Sequence, residues 1–264
     1  MRRLLLACAF LLLAEPAAAT FARVGSLGTG TSTTAGTSLT VTTSATLEAG
    51  NVGVCAIGKD ETGTGTTDGD LGQVTNVTDG SSNRWVKAIE FCNAQTSTAA
   101  DGACIDIWWT KATTQLTSGG TITITLSAST TSKAATCDEF TMDTNLSPYM
   151  AAGQNGLAND AADPGSMTAA TTVSRPHLFV RASACESNTT TYTADTDYTG
   201  GGNATAGTGT AATSMGARIE TRVATEATSA ASDPTYATAD CASAMAALNE
   251  DPGCFLQLLG VGCR

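Results

Sequence analysis

The side chains able to do chemistry are few and scattered. His177 is the only histidine, so a Ser-His or Cys-His nucleophile, or an imidazole base, would have to use it. Its setting, Ser174-Arg175-Pro176-His177-Leu178-Phe179, reads as a turn leading into a buried strand, and no G-x-S-x-G nucleophile motif occurs. Carboxylates are the other resource, because glycoside hydrolysis needs only two of them across one cleft. Glu90, Asp106, Asp138, Glu139 and Glu220 fall on segments that read as strands. The plain reading of such residues is a solvated outer face, and the expectation is a protein without catalytic residues.

Loop carboxylates point instead to a hard cation. Asp60-Glu61 and Asp68-Gly69-Asp70 crowd four carboxylates into one short stretch, and calcium takes its oxygen ligands from loops of this kind. Asp60, Glu61, Asp68 and Asp70 are therefore the candidate metal ligands, with Asp195 and Asp197 a shorter pair; no other cofactor is expected. Neither set completes a calcium loop, and an acidic surface loop is the competing reading. Trp85, Trp108, Trp109, Tyr192 and Tyr198 are the candidates for stacking on a glycan. Trp108 and Trp109 are neighbours and must point to opposite faces of a strand. Trp85 and one of that pair accordingly read as core anchors.

The elements that must position these residues follow from composition. Thr occupies 48 of 264 positions, Gly 27 and Lys only four, and just 14% of residues are charged. Thr fits a pleated, half-exposed surface better than a helix, so a sheet protein is expected. A net charge of −11 excludes binding by phosphate neutralisation, which needs a basic stripe, and argues against docking on anionic lipid.

Residues 1–19 read as a secretory signal peptide cut before Thr20: Arg2-Arg3, an apolar run from Leu4 to Ala14, then Ala17 and Ala19 at the cleavage positions. The run is shorter than the about 20 residues a membrane helix needs, and no later stretch reaches spanning length. Export leaves an even set of cysteines, as a disulfide framework requires. Cys92 and Cys104 are the best pair, on adjacent strands flanking a polar loop, and Cys254 and Cys263 can close a small C-terminal loop. Cys55, Cys137, Cys185 and Cys241 complete the set with no pairing assigned.

From Ser38 onward, short alternating or apolar runs are separated by Gly, Asn, Asp and Ser, the pattern of strands joined by turns. Strands are expected at 38–43, 51–58, 84–91, 105–111, 121–127, 134–142, 167–172, 177–185, 217–225 and 236–247. The last is also compatible with a short helix over 242–248. The chain echoes itself: Ser38-Leu39-Thr40 with Val54-Cys55-Ala56 resembles Ser166-Met167-Thr168 with Val180-Arg181-Ala182, and Ile105-Asp106-Ile107 resembles Ala217-Arg218-Ile219. An internal duplication is suggested, and the Ala/Gly/Asn/Asp-rich residues 144–166 could link two small domains. Each half carries few large apolar residues for a core of its own. The expected architecture is therefore all-β, a two-layer antiparallel sandwich of jelly-roll or immunoglobulin-like type over 20–250 to which both halves contribute, followed by a cysteine-containing tail over 251–264.

Val77-Thr78-Asp79-Gly80-Ser81-Ser82-Asn83-Arg84-Trp85, then Ile105 to Lys111, Thr121 to Leu126 and Ala134 to Phe140, resemble the strand pattern of Thr/Gly-rich β-sandwich modules in bacterial surface and phage structural proteins. This chain departs from that pattern in having Ser82 where glycine is usual and in its many cysteines. The resemblance implies a non-catalytic structural or adhesive module. The expected location is secreted or at a cell surface, extracellular or periplasmic, with a virion surface as the alternative. The expected partners are proteins or further copies of the chain. A secreted carbohydrate-active protein, either a carboxylate glycosidase or a calcium-dependent glycan binder, is the rival from another class.

Overall fold

The structure is a computed structural model and describes residues 21–60, 68–93, 102–142, 147–150, 155–162, 165–171, 176–189, 191–209, 213–225, 228–236 and 239–251. The first half supplies β1 (Ala22–Ser32), β2 (Gly36–Thr43), β3 (Val52–Asp60), β4 (Val74–Asp79), β5 (Val86–Cys92), β6 (Ala103–Lys111), β7 (Thr121–Thr130) and β8 (Lys133–Thr141). They form one antiparallel sheet in the order β4-β7-β2-β1-β8-β3-β6-β5. The sheet curls until its outermost strands approach. A backbone bridge joins Gly69, ahead of β4, to Cys92 at the end of β5. The Glu90 carboxylate on β5 reinforces that seam by accepting the N–H groups of Leu71 at 3.1 Å and Gln73 at 2.7 Å.

Alternation explains which side is inside. Along β7, Ile122, Ile124 and Leu126 are buried while Thr121 and Thr125 are exposed. The curled sheet encloses Leu27, Leu39, Val41, Ile57, Val77, Trp85, Trp108, Ile122 and Ile124 in one apolar cluster, each such side chain contributing about 1.5–3 kcal/mol. The first half thus has the core of its own that its modest apolar content seemed to deny it. Near-closure turns one face of every strand inward, so a sparse alternating set suffices.

The second half supplies β9 (Ser147–Met150), β10 (Asn155–Ala162), β11 (Met167–Ala170), β12 (His177–Cys185), β13 (Thr199–Ala206), β14 (Met215–Ala224), β15 (Ser229–Ser232) and β16 (Ala239–Asp251). The order is β10-β16-β12-β14-β13, with β9 also on β16, and β11 and β15 form a separate ribbon. Within the Ala/Gly/Asn/Asp-rich stretch 144–166, residues 147–150 and 155–162 are strands paired along β16. No helix forms at 242–248, where Ala-rich β16 is covered on both faces. Among the described residues no sheet mixes the halves, yet their connectivity matches. β12, β14 and β16 stand to one another as β3, β6 and β8; β13 lies on β14 as β5 on β6; β10 lies on β16 as β1 on β8; and β11 pairs β15 as β2 pairs β7.

The halves meet face to face. Val52, Val54 and Ala56 on β3 and Ile105 and Ile107 on β6 share a second cluster with Leu178, Val180 and Ala182 on β12, Ile219 on β14 and Leu248 on β16. At Gly58 the approach is so close that an added Cβ would sit 2.9 Å from the Ala184 Cβ. The outer face of the second sheet is covered by the ribbon through Met167, Ala169, Phe179, Ala230 and Met245. Three disulfides join residues directly opposite in register: Cys55–Cys137 between β3 and β8, Cys92–Cys104 between β5 and β6, and Cys185–Cys241 between β12 and β16. Cys254 and Cys263 lie outside the described residues.

Candidate functional site

A groove of about 350 Å³ opens where the halves adjoin, lined by Arg23 of β1, Asp197 and Thr199, and Thr221, Arg222 and Val223 of β14. Arg222 Nη1 lies 3.3 Å from Asp197 Oδ2, and Arg23 Nε donates to Asp138 Oδ2 at 2.8 Å. Burial raises the Asp138 carboxyl above the ordinary aspartate range, partly offset by Arg23. Beneath the groove, Gly201 and Gly202 of β13 press their backbone against β8: a Cβ on either would overlap Asp138 or Thr136. Val24, 55% exposed, and Val223, 40% exposed, are the two exposed large apolar side chains among the described residues. Val223 lines the groove, and Val24 follows Arg23 in a stretch where the β1–β8 register shifts, as a bulge re-aims a side chain.

The candidate metal ligands do not converge. Asp60 Oδ2 accepts the Ser132 N–H at 3.0 Å, and burial pushes its pKa up to about 6. Its neighbourhood is cationic, with fully buried Lys59 and Lys133 opposite each other across β3 and β8. Asp70 is exposed to solvent in part and pairs with Lys87. Glu61 lies outside the described residues, and among those described no three His, Cys, Asp or Glu side chains group as a metal site.

The strand carboxylates overturn the expectation of a solvated face. Glu90, Asp106, Asp138, Glu139 and Glu220 are all buried, because strands β5, β6, β8 and β14 are packed on more than one side. Glu139 accepts the Glu48 N–H and the Asn51 amide. Glu90 and Asp106 are cross-strand partners. Burial and then the Glu90 charge raise the Asp106 carboxyl well above its usual range, while Lys87 sits 3.1 Å from Glu90 Oε2. Glu90, Asp138, Glu139 and Glu220 thus tie segments distant in the chain together, while Asp106 Oδ1 accepts the Trp108 indole N–H on its own strand.

The aromatic candidates divide similarly. Trp108 belongs to the core inside the curled sheet and Trp109 packs on the core between the sheets. Trp85 donates its indole N–H to Asp79 Oδ2 at 2.9 Å, and Asp79 Oδ1 takes the N–H groups of Ser81 and Asn83. Ser82 has φ +60°, the left-handed conformation that favours glycine. His177, fully buried on central strand β12, tilts against Phe179.

The second half buries its charge under the ribbon. Arg181 donates to the Ser232 and Gly165 carbonyls, and Glu220 accepts the Ser232 hydroxyl and the Asp195 N–H. Arg218 holds the Ala204 and Thr189 carbonyls and lies 4.9 Å over the Tyr236 ring. Burial and then the Glu220 charge push the Tyr192 hydroxyl well up. Composition hides all of this. The groove was equally unmarked, its one signal being the repeated Arg-Val pair at 23–24 and 222–223 on strands. No protein-family model, curated protein or solved structure matches the chain.

Proposed function

We propose that this is an exported, non-enzymatic structural or adhesive protein, its two sheets forming a β-sandwich derived from an internal duplication. It works by protein assembly or surface binding at a cell surface, an extracellular filament or a virion. The observation that carries the reading is the groove between halves, where exposed Val223 is lined up with Arg23 and Arg222 and exposed Val24 follows Arg23 in the chain. Arginine is enriched in the buried cores of protein interfaces, where other charged residues are depleted. The buried carboxylates support it from the other side, since Glu90, Glu139 and Glu220 accept backbone N–H groups and Asp138 is bonded to Arg23.

The test is light scattering on the oxidised chain lacking residues 1–19, with and without calcium, beside Val24→Asp/Val223→Asp. The reading expects ordered oligomers or partner binding that the double substitution abolishes while the melting temperature holds. A monomer that cleaves glycans, or assembly indifferent to these two residues, overturns it.

A further inference from the structure

The outward face of β4, β7, β2 and β1 carries an ordered array of threonines. Cross-strand pairing places Thr78, Thr123 and Thr40 in one row, Thr121, Thr42 and Thr29 in the next, and Asn76, Thr125 and Ser38 in a third. Thr123 is half-buried and the other eight are exposed. None of the nine is charged, although the chain carries 13 basic and 24 acidic residues. None of their side chains hydrogen-bonds to another described residue, whereas the hydroxyls of Thr43, Thr110 and Ser81 are used within the protein. Residues alternating with them, among them Leu39, Val41, Val77, Ile122 and Ile124, are locked in the inner core.

The consequence is a repeating array on a twisted sheet layer, with backbone neighbours about 4.8 Å apart across strands and about 6.6 Å apart along them. Threonine's branched Cβ restricts χ1, so each hydroxyl and methyl is presented in few orientations. Methyls order adjacent water and hydroxyls bond it. A regular, uncharged grid of both complements a surface with its own regular repeat of hydrogen-bonding oxygens. The absence of any aromatic among the nine positions argues against crystalline polysaccharide, whose sugar rings are gripped by stacking. We propose that this face binds ice, holding a first layer of water in an arrangement close to that of a crystal face; the proposal is independent of the groove.

The experiment grows ice slowly from dilute buffer containing the oxidised, fluorescently labelled protein and follows recrystallisation in frozen sucrose solution. The wild type is expected to enter the ice and slow recrystallisation. Thr40→Lys/Thr123→Lys should lose at least ten-fold in potency at unchanged melting temperature, and Thr191→Lys, on an exposed loop elsewhere, should lose nothing. If the central pair fails to fold, Thr121→Lys/Thr125→Lys reads the same face. Exclusion of the wild type from ice overturns the proposal, as does ice binding that survives both pairs, or array-dependent binding to microcrystalline cellulose or chitin without ice binding.

Discussion

The two halves use one strand plan to enclose opposite interiors. Inside the first, Cys55 on β3 faces Trp108 on β6; at the matching place in the second, Arg181 on β12 faces Glu220 on β14. The match is fixed by irregularities in the ladder: the register shifts just beyond Lys87↔Trp108 and just beyond Gly200↔Glu220. The first half closes eight strands around apolar side chains and needs little else. The second covers its sheet with a two-stranded ribbon, whose unpaired edges leave carbonyls unanswered. Arg181 answers them at Ser232 and Gly165, and Arg218 answers the carbonyls of Ala204 on β13 and Thr189 in the loop after β12. A buried unpaired carbonyl costs about 1–3 kcal/mol, which is why guanidinium groups stand where the first half has a disulfide cysteine and a carboxylate. One architecture can thus be sealed by apolar closure or by arginine clamps, according to how many strands cover it.

The largest effect is expected from breaking the apolar interior. Trp108→Ala should destabilise by about 3–5 kcal/mol, read by urea unfolding. Because all three tryptophans lie in the first half, fluorescence follows that half, and far-ultraviolet dichroism follows both. In the second half, Arg181→Met alone should cost about 3 kcal/mol by leaving Glu220 buried without its cation. Adding Glu220→Leu should recover only the part due to uncompensated buried charge, because the Ser232 and Gly165 carbonyls stay unanswered. A double-mutant cycle without recovery would mean that the clamp on the ribbon, rather than the charge pair, carries the energy. Removing Cys185–Cys241 by paired alanine substitution should cost about 2–4 kcal/mol, and removing Cys55–Cys137 a similar amount in the other half.

The smallest effect concerns charge inside the first half. Asp60 has its pKa raised to about 6 by burial, above its unfolded value of 3.8. Its contribution to stability is therefore greatest below about pH 4 and is lost as pH rises through 6. Asp60→Asn should raise stability at pH 7 by on the order of 1–2 kcal/mol and flatten the melting profile between pH 4 and 7.

Much of the fold was legible because alternation survives wherever one strand face meets water. The inward and outward faces of β7 were readable from Thr-Ile-Thr-Ile-Thr-Leu, although the strand runs on to Thr130, past the expected end at 127, and Cys92–Cys104 was readable from two strands around a polar loop. β10 and β13 were not: Asn155–Ala162 and Thr199–Ala206 are Gly/Ala/Asn-rich, and their place depends on β16 and β14 rather than on side chains of their own. The same physics hid the carboxylates. Glu90 and Glu220 sit on strands packed from both sides, and a sequence period cannot report a second layer folded from distant residues. Within the groove, Arg23 and Arg222 come from opposite ends of the chain, so neither marks a site until the halves meet.

Peptide mapping of the non-reduced, protease-digested protein tests most directly the claim that each half is closed and stapled separately. The account predicts linked peptides for Cys55–Cys137, Cys92–Cys104 and Cys185–Cys241, with no link between the halves. Free thiols at these six positions, or a bond from Cys55 or Cys137 to Cys185 or Cys241, would contradict it.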